Sequence, residues 1–316
     1  MQDTLYNGTV KHIALTGVTG MVGYHVREAL WRRKISYTGA SRSLPYMISG
    51  ENKWFLWNLL DRKSHQELDD MFGKPDAFLH IGASVPGTFE KSFNKSMEST
   101  NVNATKEISE WTRMRDIPLV FLSSSVVYAD PMRTNIQEDD EKIVNGAGVG
   151  GYYGLTKLLG EQAVQENRKH IILRPSSIYG HGLPKKKMIS KFLKQAQEGE
   201  TISLEPPDDS MNLIHARDVA NAMLDAVENE VYGIYNIGGQ EHSVSEIANT
   251  AVRVVGNGRV KMSEAVSREP SVRFGLNSDR AKVAFGFRTE ISLDTGLRLM
   301  TNALAKESQD REEVYG

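Results

Sequence analysis

The chain of 316 residues contains no cysteine. That excludes disulfides, cysteine-ligated zinc, iron–sulfur clusters and thiol nucleophiles. It fits a reducing compartment, and a cytoplasmic location is the expectation. Charge of one sign is not in excess either: 38 basic residues stand against 40 acidic ones, net −2. No global field draws such a protein to nucleic acid or an anionic membrane. No apolar run approaches the length of a membrane span. The opening "MQDTLYNGTV" has no basic segment leading into an apolar one, so no secretory signal is read. Internal repeats and low-complexity segments are absent, and the polar end "KESQDREEVYG" is expected to fray. The remaining composition, 40% hydrophobic and 25% charged, is that of a globular protein with a real core. The length suits one large domain with a smaller lobe.

Short apolar runs alternate with amphipathic segments. "HIALTG" (12–17), "ISYTGA" (35–40), "KWFLWN" (53–58), "DAFLHIGA" (76–83), "PLVFLSSS" (118–125) and "HIILRPSSIYG" (170–180) read as strands. "MVGYHVREALWRR" (21–33), "SHQELDDMFG" (64–73), a stretch of roughly 89–115 and "GYYGLTKLLGEQAVQEN" (151–167) read as helices. Continuous apolar strands between amphipathic helices predict a doubly wound α/β domain, a Rossmann-type parallel sheet with its ligand at the carboxyl ends of the strands. Beyond residue 180 the rhythm breaks. "PKKKMISKFLKQAQEGE" and "ARDVANAMLDAVEN" read as helices, "TISLEPPDDSMN" as irregular, and "GIYNIGG" as a strand returning to the main sheet. The expected division is a dinucleotide-binding domain over 1–180, completed by about 216–240. A smaller, mostly helical substrate lobe takes 181–215 and 241–316. Asp218 reads as a helix N-cap and His215 as a packed histidine.

"TGVTGMVG" places Gly17, Gly20 and Gly23 between the first strand and the first helix. Gly17 permits a tight turn, Gly20 lets a pyrophosphate approach the helix N-terminus, and Gly23 allows close helix–sheet packing. A dinucleotide site of the NAD type has an acid at the end of the second strand for the ribose 2′-hydroxyl. From Ala29 to Gly50 there is neither Asp nor Glu. Ser41, Arg42 and Ser43 stand there instead, and a guanidinium suits a 2′-phosphate. NADP(H) is therefore the expected cofactor, with NAD(H) the alternative and Arg42 then a solvated surface residue. No metal is expected.

Tyr153 and Lys157 are four residues apart in a helix and share one face. An ammonium beside a phenol favours the phenolate, which predicts a lowered Tyr153 pKa. The bland alternative is a tyrosine half-packed on a helix surface. "FLSSSVVYAD" (121–130) ends the fifth strand in three serines, and a hydroxyl there can orient a reacting carbonyl.

The order "TGVTGMVG", "SSSVVYA", "YYGLTK", "RPSSIYG" resembles the extended short-chain dehydrogenase/reductase family acting on nucleotide sugars. "FLHIGAS", "TNVNAT", "NLIHARDVANAM" and "IYNIGG" extend the resemblance over nearly the whole chain. It implies Ser124, Tyr153 and Lys157 as the catalytic set, with Lys157 also on the nicotinamide ribose. It implies a cofactor lined by Gly17, Thr19, Gly20, Met21, Val22, Ser41, Arg42, Asn58, Leu59, Gly82, Ala83, Ser84, Tyr153, Lys157 and Pro175. Ser84, Ser125 and Ser177 fall on the substrate side. The partner implied is a nucleotide sugar, and a homodimer is expected. Three positions depart from the family pattern: Asn58 for an Asp, Ser177 for an Asn, and Met211 for an Arg near the nucleotide diphosphate. Lys185–Lys187 or Arg268 are candidates to replace that charge, although a lysine run reads first as a solvated face.

Members that dehydrate carry an acidic pair after the catalytic serine or threonine, whereas Ser125 and Val126 follow Ser124. That leaves an NADPH-dependent reductase of 4-keto(-6-deoxy) nucleotide sugars as the expected activity. The alternative is an NAD-dependent C4 epimerase, and a third reading is a cofactor-sensing protein without turnover.

Overall fold

The computed structural model describes residues 9–43, 52–87, 92–130, 132–144, 149–264 and 269–303. The expected start of the long helix near 89, Arg268 and the polar tail lie outside them. Seven parallel strands form the main sheet: β1 (His12–Thr16), β2 (Ser36–Ser41), β3 (Lys53–Leu56), β4 (Ala77–His80), β5 (Leu119–Leu122), β6 (His170–Pro175) and β10 (Gly233–Ile237). Their order across the sheet is β3-β2-β1-β4-β5-β6-β10.

The central strands are apolar throughout because both faces are covered. Ile13, Leu15, Leu79, Val120, Leu122, Ile171 and Leu173 face one way, against α1 (Met21–Arg32) and α7 (Ala216–Glu228). Ala14, Phe78, Leu119, Phe121 and Ile172 face the other way, onto Leu68 and Phe72 of α2 (His65–Phe72), Ile108 and Trp111 of α4 (Ala104–Met114) and Val164 of α5 (Gly151–Val164). The period-two alternation of strand side chains thus builds two cores from one run of residues. Ser64 and Glu67 close a capping box at the start of α2, which is why "SHQE" begins a helix. The helix before β5 is interrupted. A short α3 (Lys95–Glu98) passes through a π-type turn at Ser99–Asn103 into α4.

The region beyond 180 is less helical than expected. "TISLEPPDDSMN" holds β8 (Thr201–Leu204) and the start of β9 (Ser210–His215). β8 pairs with β12 (Arg259–Met262), and β9 pairs with β7 (Ser177–Tyr179), β11 (Gln240–Ser243) and β13 (Val272–Arg273). These strands run to six residues at most and take most of their partners from distant sequence, so local periodicity carries little signal. The helix of the lysine run, α6 (Met188–Gln197), begins only after Lys187. A third core joins Leu193, Ile202, Leu213, Ile247 of α8 (Val244–Val255) and Leu297. α9 (Asp279–Phe285) packs beside β10 through Phe285 and Tyr235.

Asp218 is not the cap of α7. His215 is, its Nδ1 accepting from the Arg217 N–H at 3.1 Å. Asp218 lies one turn in, buried, and accepts from the Ile291 N–H at 3.2 Å. His215 is packed, edge-on to Tyr179 and His25.

Candidate active site

All strands of the main sheet being parallel, their carboxyl ends share one edge. The strand order reverses between β1 and β4, the switch point where open α/β sheets bind ligands. Two glycines meet there. Gly17 has φ +72° and a Cβ on it would lie 2.7 Å from the Gly82 nitrogen. A Cβ on Gly23 would lie 2.2 Å from the Gly17 carbonyl oxygen, so the helix sits directly on the turn. Gly20 differs: beyond the Gly17 oxygen at 3.3 Å, its Cβ direction is open. Gly20 is also the N-cap of α1 and offers no side-chain cap. The first backbone N–H groups of α1 therefore face open space beside exposed Thr19 and Gly20. This cradle fits the pyrophosphate of a dinucleotide, with Met21 and Val22 opening the helix above it.

Ser41 ends β2, its hydroxyl donating to the Ser43 carbonyl at 2.5 Å, and Arg42 beside it is exposed. Asn58 turns the chain after β3, accepting from the Leu60 N–H at 3.2 Å. Leu59 packs on Gly82, where a Cβ would meet its Cδ1 at 2.9 Å. Gly82, Ala83 and Ser84 follow β4 in a half-buried loop held by a polar chain the sequence reading missed. Thr105 Oγ1 donates to the Asn101 carbonyl and so accepts from His80 Nε2 at 2.9 Å. Neutral His80 then accepts at Nδ1 from Thr16 Oγ1 (2.7 Å), which accepts from the Gly82 N–H. Burial and the Lys157 charge hold His80 neutral, pushing it down to about 3. Asn101, inside the π-type turn, clamps Ser84 through both its N–H and its carbonyl and reaches Thr156 of α5. The signal was present as the polar residues of "TNVNAT" on an otherwise buried helix face.

Ser124 caps the short turn Ser125–Val127 after β5 and is half-buried, while Ser125 is buried. Tyr153 and Lys157 lie on α5, 8% and 2% exposed. The Lys157 ammonium donates to the Leu122 carbonyl at 2.7 Å and lies 4.6 Å from the Phe121 ring centroid. The lysine is thereby fixed at the end of β5, two residues before Ser124. Pro175 ends β6 opposite Ile237, and Ser177 in β7 pairs with Leu213. The expected lowering of the Tyr153 pKa is not found. Burial pushes the phenol up.

Burial also pushes Lys157 down to about 7, Glu161 opposing. An unfolded lysine titrates near about 10.4. Between those values the unfolded chain binds one more proton than the folded one, so stability rises with pH. The urea midpoint of the cofactor-free protein is expected to gain this contribution between pH 7 and 9. Lys157→Met should flatten that rise, and an unchanged slope would contradict it.

A cavity of about 450 Å³ opens beside Tyr153 and is lined by Pro86, Gly87, Ser92, Asn94, Met97, Tyr152 and Lys186. Lys185 and Lys186 are exposed, as a solvated lysine run would be, and Lys186 also lines this cavity. Met211 lies in β9, paired with His242 and Arg273.

The strand order, the glycine turn and the switch point define a Rossmann-type α/β protein. A family model described as "NAD dependent epimerase/dehydratase family" matches residues 13–238, and the chain belongs to that family. UDP-glucuronic acid decarboxylase 6 of Arabidopsis thaliana is 24% identical over 306 residues, covering 91% of this chain and 87% of that protein. Among solved structures, the UDP-N-acetylglucosamine 4-epimerase of Bacillus cereus superposes with a TM-score of 0.77 at 23% identity, covering 93% of this chain and 96% of the other. The UDP-glucuronic acid 4-epimerase of the same organism, in complex with UDP-glucuronic acid and NAD, gives 0.76 at 20%, covering 94% and 99%. Among the described residues no helix is long and apolar enough to cross a membrane, and no cluster of three or more His, Asp or Glu forms a metal site.

Proposed function

We propose that the protein moves hydride at C4 of a nucleotide sugar, with Tyr153 as the proton-transfer group and Lys157 and Ser124 beside it. The observation that carries this reading is the fixation of the Lys157 ammonium on the Leu122 carbonyl, two residues before Ser124 and one helical turn from Tyr153. Gly17, Gly20, Met21 and Val22 would hold the pyrophosphate, Ser41, Arg42, Asn58 and Leu59 the adenosine side, and Gly82, Ala83, Ser84, Lys157 and Pro175 the nicotinamide side. Bound there, a nicotinamide supplies hydride acceptance and return, and its oxidised form adds a positive charge. Ser124 donates a hydrogen bond to the sugar C4 oxygen and orients it. Tyr153 takes the proton from that oxygen when it becomes a carbonyl and returns it on reduction. Buried Lys157 supplies the charge that stabilises a phenolate once the phenol has lost its proton. Ser84, Ser125 and Ser177 bound the sugar side, and we place the substrate lobe at 181–215 and 241–316.

Two net outcomes share this chemistry. A C4 epimerase with retained NAD is favoured by the NAD-bound epimerase relative. An NADPH-dependent 4-keto(-6-deoxy)-sugar reductase is favoured by exposed Arg42 where an acid would stand. Denaturing the protein as purified and identifying the released nucleotide by mass spectrometry separates them. Stoichiometric NAD selects the epimerase and leaves Arg42 a surface residue. NADP, or an empty site with tighter binding of NADPH than NADH that Arg42→Ala abolishes, selects the reductase.

A further inference from the structure

We infer that Lys186 is the residue with which this cleft recognises an anionic group of its substrate. This rests on the nucleotide-sugar reading and specifies the charge that the substrate presents beside Tyr153.

The three consecutive lysines have different surroundings. Lys185 is exposed, and Lys187 is the half-buried N-cap residue of α6. Lys186 instead lines the cavity that Tyr153 lines. Its side chain crosses from the segment before α6 to the loop that follows β4: a Cβ on Gly87 would lie 2.6 Å from its Nζ. The ammonium, at the end of a flexible side chain, thus lies directly over Gly87. The other polar groups around the cavity, from Ser92, Asn94, Tyr152 and Tyr153, are neutral, and no carboxylate lines it among the described residues. Among those residues Lys186 also has no ion-pair partner. Among the described residues one ammonium stands in this concave site of about 450 Å³, with neutral hydrogen-bonding groups around it, an arrangement that favours an oxyanion. Met211 is apolar, so the family's charge near the diphosphate has no counterpart in β9, and Lys186 supplies a cation from a different element.

The oxyanion has two sources in a nucleotide sugar: the diphosphate, or a carboxylate on the sugar ring. Titration calorimetry of the intact protein with UDP, UDP-glucose and UDP-glucuronate distinguishes them. Lys186→Ala should weaken binding of at least one of the three by about tenfold or more, Lys186→Arg should recover it to within about threefold, and Lys185→Ala should stay within about twofold of native. Loss confined to UDP-glucuronate identifies a sugar carboxylate, and equal loss on all three identifies the diphosphate. Native protein that binds the nucleotides while Lys186→Ala binds them equally well overturns the inference and leaves the functional reading standing. Native protein that binds none of the three overturns the nucleotide-sugar reading and this inference with it. Lys186 is exposed and outside the cores, so thermal unfolding of the variant should match native and exclude a folding defect.

Discussion

Tyr153→Phe lowers turnover on any nucleotide sugar the native protein converts by about 10²–10⁴-fold, the range expected when a positioned proton donor is removed. The ring is 8% exposed and packs with Met97, Val126, Val127 and Tyr152. Phenylalanine keeps that packing, so the melting temperature should move little. Lys157 keeps its bond to the Leu122 carbonyl, so the nicotinamide site proposed beside it should bind to within about twofold of native. Loss of kcat with retained binding separates a proton-transfer role from a packing one. A variant with near-native turnover would remove Tyr153 from the chemistry.

Glu161→Ala is expected to have the largest effect on stability. Glu161 and Arg174 are 1% and 2% exposed in their side chains. Arg174 donates to Glu161 from Nε at 2.9 Å and Nη2 at 2.6 Å, and from Nη1 to the Tyr128 hydroxyl and the Glu138 carbonyl. Tyr128 donates its hydroxyl hydrogen bond to Asn236 Oδ1 at 2.6 Å, and Ser123 donates to Glu161. Removing the carboxylate leaves a buried guanidinium without its counter-charge, which costs about 3–5 kcal/mol. The pair ties α5 to β6, and Ser123 precedes Ser124, so activity should fall along with stability. Glu161→Ala combined with Arg174→Leu should regain part of the loss, because no charge is then left buried. Chemical denaturation of the single and double variants checks both statements. Full native stability in Glu161→Ala would mean that water reaches Arg174.

The main sheet was legible because β1, β4, β5 and β6 are buried on both faces and read as unbroken apolar runs. The glycine turn was legible because sterics at Gly17 and Gly23 admit no side chain. The pairing of β8 with β12 was not: paired residues such as Thr201 and Arg259 are 58 positions apart, and four residues are too short a run for their alternation to stand out. Tyr153 and Lys157 were legible as a pair sharing a helix face, but their electrostatics were not. Spacing predicts that the ammonium lowers the phenol, whereas burial raises it. Lys186 looked like its neighbours in sequence. It is exposed as Lys185 is, and the cavity it shares with Tyr153 is what sets it apart.

The proposed chemistry moves hydride at C4 of a nucleotide sugar, at the site of Ser124, Tyr153 and Lys157. The most direct measurement incubates the protein, loaded in turn with NAD and NADP, with UDP-glucose and UDP-glucuronate deuterated at C4. The nicotinamide is then examined by mass spectrometry. Deuterium should reach the nicotinamide in the native protein with at least one pairing, and transfer should be slowed by about 10²-fold or more in Tyr153→Phe. Transfer in the variant at the native rate, or none in the native protein with any pairing, would contradict the account.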